Sequence, residues 1–179
     1  KRSIHGPVVA EEEGKATAIR IAGLDQAHLQ EQWWDMGRAT NLEEFEAALG
    51  RLQIPMFNVV YADRDGHILY LYGGRVPRRT TGDWDYWQGI IPGTDSSNLW
   101  TETLDYDELP KAIDPPSGWG QNANDPPWSA TFPTVYEPED FQLSLSPRSI
   151  PFRPQSSIRL IDKGNKISFD EFIARKHST

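Results

Sequence analysis

Two short apolar runs joined by a turn sequence lie near the middle of the chain. In the first run, residues of the opposite face alternate with Phe57, Val59 and Tyr61. The second run comprises residues 68–72 (ILYLY). β-Branched and aromatic residues at a period of two favour strands. Residues 63–66 (DRDG) lie between the runs, and because an Asp-Gly pair provides the positive φ of a tight reversal, we predict a β-hairpin. The second strand is apolar on both faces, which predicts a covering layer on each side.

A helical period precedes this hairpin in two segments. Residues 24–36 carry an imperfect apolar stripe and are followed by Gly37, a common helix terminator, so we predict a helix there. A capping-box pattern that opens at Thr40 or Asn41 begins a second predicted helix, in which apolar residues recur at helical spacing as far as residues 50–52.

The two ends of the chain add further elements. Residues 3–9 and 16–22 are predicted to pair as a second hairpin, and the capping-box pattern of Ser168 and Glu171 opens a C-terminal helix. Residues 127–154 are predicted to be irregular, anchored by large rings at Trp128, Phe132, Tyr136 and Phe141. Separate runs of strands and helices indicate an α+β fold, and no disordered linker divides the chain, so we expect a single domain over residues 1–179.

The composition narrows the class of function. A net charge of −8, spread along the chain, argues against nucleic acid as a partner, because phosphate contact needs a basic face. No long apolar run is present, so no membrane-spanning segment is expected. The absence of cysteine excludes disulfides and thiolate chemistry, and four scattered histidines do not form a transition-metal pattern. We therefore expect no metal and no cofactor.

No complete catalytic set can be assembled from the residues present, because none of the histidines accompanies a nucleophile-elbow pattern. Residues 121–125 (QNAND) precede Pro126 and Pro127, and an Asn amide held on such a stiffened segment can donate to a developing oxyanion. An Asn between Gly and Pro is more commonly a turn residue. From the residues alone, both interpretations stay open.

Acidic and aromatic residues alternate over residues 80–89. Asp83 and Asp85 suit a cation, and the rings suit a carbohydrate, but a loop whose rings close the end of a sheet has the same pattern. No further ligand spacing supports a cation here, so we favour the loop.

Four segments together resemble a known family. In chain order they are SIHGPVV (3–9), NVVYADRDGHILYLYGGRVPRR (58–79), DWDYWQGIIPG (83–93) and IDPPSGWGQNANDPPW (113–128). They resemble the middle of the β chain of penicillin acylases, a group of N-terminal-nucleophile hydrolases. The resemblance covers residues 1–128 and is looser beyond them.

The resemblance implies part of a four-layer αββα fold and an amidohydrolase that cleaves an acylated amine, such as a β-lactam side chain or an acyl-homoserine lactone. The family's nucleophile precedes the point matched by Lys1, so we expect an internal fragment of a larger enzyme, made as a zymogen, that is inactive by itself. The implied partners are the remainder of the acylase and a small acylated amine. The implied location is periplasmic or secreted.

The resemblance also implies roles for particular residues. Asn124 matches the family's oxyanion-hole asparagine, with Asn122 as its competitor two residues earlier. Phe57 matches a residue of the acyl pocket. Arg153 matches an arginine near the active site, with Arg159 as an alternative. The family's calcium loop is shorter here, so no metal ligand is carried over.

A different class of function fits the composition as well. Seven Trp, six Tyr and seven Phe, many of them in loops, also suit a non-catalytic module that binds carbohydrates or peptides. Core packing and loop anchoring are the simplest explanation of the same rings.

Overall fold

The computed structural model describes residues 1–24, 26–162 and 166–177. Contacts divide the chain into two compact units, each built from separated stretches of sequence. The first unit comprises Lys1–Phe57, Gly73–Leu109 and Gln142–Leu145, and the second comprises Asn58–Tyr72, Pro110–Phe141 and Ser146–Thr179. The single domain over residues 1–179 stays a prediction.

A three-stranded antiparallel sheet opens the first unit, in the order β1 (Arg2–Ser3), β2 (Gly6–Glu12) and β3 (Lys15–Ala18). The predicted hairpin of residues 3–9 and 16–22 is confirmed as the β2–β3 pair, although β3 ends at Ala18. The first predicted strand is interrupted before Gly6, whose φ of +116° brings its backbone against the carbonyl of Ile19. A Cβ at residue 6 would lie 2.1 Å from that oxygen, so only glycine fits.

Two helices follow, α1 (Leu29–Arg38) and α2 (Leu42–Leu49). The predicted second helix and its cap are confirmed, since Oδ1 of Asn41 accepts a hydrogen bond from the backbone N–H of Glu44 at 2.9 Å. The predicted first helix starts at Leu29 rather than residue 24 and continues past Gly37; residue 25 of that prediction lies outside the described residues.

The buried face of α1 differs in part from its predicted apolar stripe, of which Leu29 and Met36 are half-buried. Gln32 is its buried residue, 1% exposed, whereas Trp33 and Trp34 are 56% and 66% exposed. The Gln32 amide is satisfied inside the first unit: Oε1 accepts from the backbone N–H of Gln53 at 2.5 Å, and Nε2 donates to the carbonyl of Leu49 at 3.4 Å. A buried amide with both ends bonded can replace an apolar contact without a large desolvation cost.

The rest of the first unit is mostly loop. Pro77 forms an isolated antiparallel bridge with Thr103, and the flanking N–H groups of Arg78 and Leu104 supply the backbone bonds that proline cannot. Its three short 3₁₀ turns are Tyr86–Gln88, Ser96–Asn98 and Tyr106–Glu108. The buried apolar residues of this unit are Phe45, Ala48, Leu49, Leu52, Ile54, Leu104, Leu109 and Leu145.

A second three-stranded antiparallel sheet forms the centre of the second unit, with β5 (Ile68–Leu71) between β4 (Val59–Ala62) and β6 (Lys111–Ile113). The predicted central hairpin is confirmed as β4–β5. Successive residues of β5 point to opposite faces, and Leu69, Tyr70 and Leu71 are each at most 2% exposed. Cover on both faces of this strand is therefore confirmed.

The remainder of the second unit consists of short 3₁₀ turns (Pro127–Ser129, Pro138–Asp140) and two helices, α3 (Phe152–Ile161) and α4 (Phe169–Lys176). The predicted cap of α4 is confirmed, because Oγ of Ser168 accepts from the N–H of Glu171 at 3.2 Å. Three of the four predicted anchor rings pack together, since Trp128 and Tyr136 both contact Phe141. The fourth, Phe132, is 57% exposed, and its expected anchoring role is wrong.

An ion pair fastens the turn end of the central sheet. Nδ1 of His67 lies 2.7 Å from one carboxylate oxygen of Asp114, and the other oxygen accepts from the N–H of Ile68 at 2.9 Å. The hydrogen bond to Asp114, and its charge, raise the pKa of His67 above its ordinary 6.5, and the same bond lowers the pKa of Asp114 below its ordinary 3.8. The His67 contribution to stability is fully present below pH 6.5 and is lost as pH rises through the raised value.

We expect His67→Gln to lower the thermal unfolding midpoint most between pH 3.8 and 6.5, the window in which both groups of the wild type are charged. The difference from wild type should shrink at higher pH, as His67 loses its proton, and at lower pH, as Asp114 gains one. The shift is small because both side chains are nearly half exposed. Calorimetry across pH measures it, and Asp114→Asn should show the same window. A difference that is constant with pH would contradict the assignment.

Candidate active site

Residues 121–125 form a bend and not the end of a strand. Asn124 has a left-handed backbone with a φ of 58°, and Pro126 and Pro127 then lead into a 3₁₀ turn. Asn122 and Asn124 therefore do not lie on one side of an extended segment, because a left-handed residue breaks the alternation of side chains. Asn tolerates this conformation better than most residues do.

The side chain of Asn124 is exposed, and its amide makes no hydrogen bond with any described residue. Its backbone N–H donates to Oδ1 of Asn122 at 3.1 Å. The backbone of this asparagine is thus held while its side-chain donor is available to a ligand.

Asn122 has the opposite character. It is half-buried, and its Oδ1 accepts from Nδ2 of Asn58 at 3.2 Å as well as from Asn124. Its Nδ2 donates to Oδ1 of Asp125 at 3.3 Å. The orientation of the Asn122 amide is therefore fixed from both ends, which is the condition for a preorganised donor, although one of its N–H groups is already committed.

Beside this bend lies a buried tyrosine hydroxyl. Tyr70 is 2% exposed and packs with Ala112 and Ala130, and Tyr72 and Tyr136 border the cluster. Burial raises the pKa of Tyr70 strongly, and the nearby Tyr136 and Asp125 add to the effect. The hydroxyl faces Asn122, yet no described group completes a well-formed hydrogen bond with it. It is an unsatisfied polar atom next to the candidate site.

Phe57 belongs to the first unit and is 52% exposed. Its ring meets that of Trp33 edge to face, with centroids 6.2 Å apart and planes at 81°. Trp33 was not predicted at this site, because the apolar stripe of residues 24–36 placed its ring in the core. Both rings, and Met56 next to Phe57 in sequence, are more than half exposed.

Arg153 lies in the first turn of α3, is exposed, and makes no hydrogen bond or ion pair with the described part of the chain. Arg159, its alternative, is exposed on the same helix. A cation in the first turn of a helix faces the positive end of the helix dipole, so its position is not favoured by the helix itself. No hydrogen bond or ion pair among the described residues of the second unit connects either arginine to Asn124.

Neither a metal-ligand cluster nor a membrane-spanning helix is found among the described residues. No group of three or more His, Asp or Glu side chains is placed to hold a metal ion there, Asp83 and Asp85 included. No described helix is both long and apolar enough to cross a membrane.

The comparisons with known proteins bear on the whole chain. The model of the penicillin amidase family matches residues 1–179. The chain belongs to the penicillin amidase family. The resemblance read from the sequence is thereby confirmed.

Two known proteins are similar to this chain. An acyl-homoserine lactone acylase, QuiP, from Pseudomonas fluorescens is 29% identical over 128 residues, which span 67% of this chain and 15% of that protein. A thermostable penicillin G acylase from Alcaligenes faecalis matches in structure with a TM-score of 0.71 and 23% identity, over 97% of this chain and 30% of that one. The chain thus has the fold of the matching part of a penicillin acylase and spans less than a third of either relative's length.

The unsatisfied Tyr70 hydroxyl provides a test of the packing beside the bend. Tyr70→Phe removes a buried polar atom without a partner, so the free energy of unfolding should stay the same or rise. Tyr136→Phe is the matched control, because its hydroxyl donates to the carbonyl of Pro127 at 2.9 Å, and its loss should cost about 1 kcal/mol. Urea unfolding of the two variants measures both. A loss for Tyr70→Phe as large as that for Tyr136→Phe would show that the Tyr70 hydroxyl has a partner.

Proposed function

We propose that this chain is an internal segment of an amidohydrolase that cleaves the amide of an acylated amine, with its nucleophile outside the segment. The observation that carries the proposal is the match of the penicillin amidase family over the entire chain. The name of the similar acyl-homoserine lactone acylase supports a substrate of that kind, and a β-lactam side chain is the other candidate. No specific observation favours the carbohydrate- or peptide-binding module.

The proposed enzyme is an N-terminal-nucleophile hydrolase of four layers, αββα, to which this chain contributes strands and helices. In such enzymes the α-amino group of the nucleophile acts as its own general base. No cofactor enters this chemistry. The proposed partners are the remainder of the acylase and a small acylated amine, and the proposed location is periplasmic or secreted after processing of a zymogen.

Residues 121–125 are the part of the chain that we assign to the reaction itself. Amide hydrolysis passes through a tetrahedral intermediate whose negative oxygen needs donors placed in advance. Asn124 is the proposed donor, because its side-chain amide is exposed and has no described partner. Asn122 is the competitor, because its amide is held in one orientation by Asn58 and Asp125.

Phe57 is the proposed contact for the acyl group, and its edge-to-face contact with Trp33 supports this role. Two aromatic rings more than half exposed offer apolar surface to a hydrocarbon or aromatic acyl chain. Arg153 is retained as a candidate near the reacting groups, on the family resemblance alone.

The isolated chain should not hydrolyse acyl amides, because nucleophile and general base lie outside it in this proposal. A chromogenic phenylacetyl amide and a fatty-acyl amide, incubated with the purified chain, measure the rate. The full-length acylase is the positive control. Turnover by the pure chain would refute the assignment of the nucleophile to another part of the protein.

In the full-length enzyme, Asn124→Gly should lower kcat by about 10²–10³-fold with little change in KM, because an oxyanion donor acts mainly in the transition state. Glycine keeps the left-handed backbone that alanine would strain, and Asn124→Ala serves as the second variant. Asn122→Ala tests the competitor and should have the smaller effect. Maturation and folding must be verified in each variant, since the same donors can serve autoprocessing.

The variants of Asn122 and Asn124 distinguish between the two candidate donors. If Asn122→Ala loses kcat and both Asn124 variants keep it, the donor is Asn122 and our register is wrong by two residues. If all three mature and keep a normal kcat, residues 121–125 are only a loop.

A further inference from the structure

Asp125 is a buried carboxylate for which the proposed reaction has no direct use. It is 5% exposed, and no Lys, Arg or His in the described ranges forms an ion pair with it. An ionised carboxylate removed from water is costly unless donors replace the lost hydration. The number and identity of the hydrogen-bond donors around Asp125 therefore indicate the role of its carboxylate.

Four donors surround the carboxylate, and they divide between its two oxygens. Oδ1 accepts from the backbone N–H of Ala123 in a very short bond and from Nδ2 of Asn122 at 3.3 Å. Oδ2 accepts from Nε2 of Gln121 at 3.1 Å and from Oγ of Ser129 in another very short bond. Oδ1 thus binds groups of the bend that contains Asn122 and Asn124. Oδ2 binds the side chains of Gln121 and Ser129, which lie on either side of that bend.

The Oδ2 side is firmly anchored in the second unit. Ser129 is 1% exposed, and its Oγ also lies 2.8 Å from the carbonyl of Pro126. Nε2 of Gln121 donates as well to the carbonyl of Ser129 at 2.5 Å, and the backbone N–H of Gln121 donates to Ala130 at 2.8 Å. Because these partners are buried and bonded to backbone, the carboxylate has one orientation.

We propose that Asp125 is the positioning residue of the oxyanion segment. It fixes the side-chain amide of Asn122 through Oδ1, and it fixes the curvature that displays Asn124 through the N–H of Ala123. Asp125 acts through these groups and does not touch the substrate. The inference rests on the proposed function, and it holds whichever asparagine is the donor, since both are tied to the same oxygen directly or through the bend.

The charge of Asp125 makes the direction of the effect informative. A carboxylate close to a developing oxyanion repels it, so removing the charge alone would speed the reaction. A positioning role predicts the reverse, because oxyanion donors act only when they lie about 2.7–3.1 Å from the oxygen, and a misplacement of 1 Å can cost about 10²-fold in rate. In Asp125→Asn, a rise in kcat would indicate that charge repulsion dominates, and a fall in kcat would indicate a positioning role.

The test is Asp125→Asn in the full-length acylase, with kcat expressed per active site after titration of the nucleophile. Asn keeps the size and the Oδ1 acceptor, but it turns an NH₂ group toward the donors of Ser129 and Gln121. We expect kcat to fall about 10–100-fold with KM within about twofold of wild type. Asp114→Asn is the control: it also removes a hydrogen-bonded carboxylate from the second unit, and it should leave kcat unchanged.

Double variants separate positioning from a loss of folded protein. If Asp125 acts through the oxyanion donor, adding Asp125→Asn to the asparagine variant that loses kcat should cost little more than that variant alone. Independent structural damage would multiply the two losses or lower only the number of active sites. Ser129→Ala keeps the carboxylate and removes one anchor, so it should lower kcat several-fold even if Asp125→Asn does not mature.

Each outcome decides the matter. The positioning role is overturned if kcat is unchanged or raised in Asp125→Asn. If only Ser129→Ala matures, the same result in that variant overturns it. The asparagine variants still report on the proposed function in either case. If neither asparagine variant loses kcat, the oxyanion segment itself fails, and the role of Asp125 fails with it.

Discussion

The burial of β5 on both faces is the constraint on which the second unit depends. Leu69, Tyr70 and Leu71 have almost no exposure, and both edges of the strand are paired. A strand without a solvent face has no tolerance for a change of register, because a shift of one residue would exchange every side chain between the two faces. The loops around it must then supply cover, and the segment that includes Ala130 and Tyr136 does so around Tyr70.

Where the chain has no regular secondary structure, polar side chains form hydrogen bonds with the backbone in place of the bonds of a helix or sheet. In the first unit, the amide of Gln142 accepts from the N–H of Arg79 at 3.1 Å and donates to the carbonyl of Pro77 at 2.9 Å. In the second unit, Asp125 and Asp63 each accept backbone N–H groups of neighbouring residues. Buried or constrained loops need such acceptors because unpaired backbone groups are costly. The many Asp, Asn and Gln residues of this chain are therefore part of its architecture.

Features with a local cause could be predicted from the sequence. The β4–β5 hairpin follows from its Asp-Gly turn, and the caps at Asn41 and Ser168 follow from side chains within four residues. Strand β6 could not be predicted, since three residues between Pro110 and Asp114 are too few for a period. The burial of Gln32 in α1 depends on Gln53, which is far along the chain, and no pattern within the helix contains that partner. The bend at Asn124 depends on the carboxylate of the adjacent Asp125, whose burial and anchoring by Ser129 no local pattern shows, so the geometry of this segment could not be predicted.

The left-handed backbone of Asn124 limits which residues can replace it. Residues other than Gly, Asn and Asp pay about 1–2 kcal/mol for that conformation. A library screened for folding alone would therefore recover the same few residues at position 124, whether or not its amide takes part in chemistry. Persistence of asparagine among variants would report on the backbone first, whereas glycine and aspartate, which fit the bend without an amide, separate the two demands.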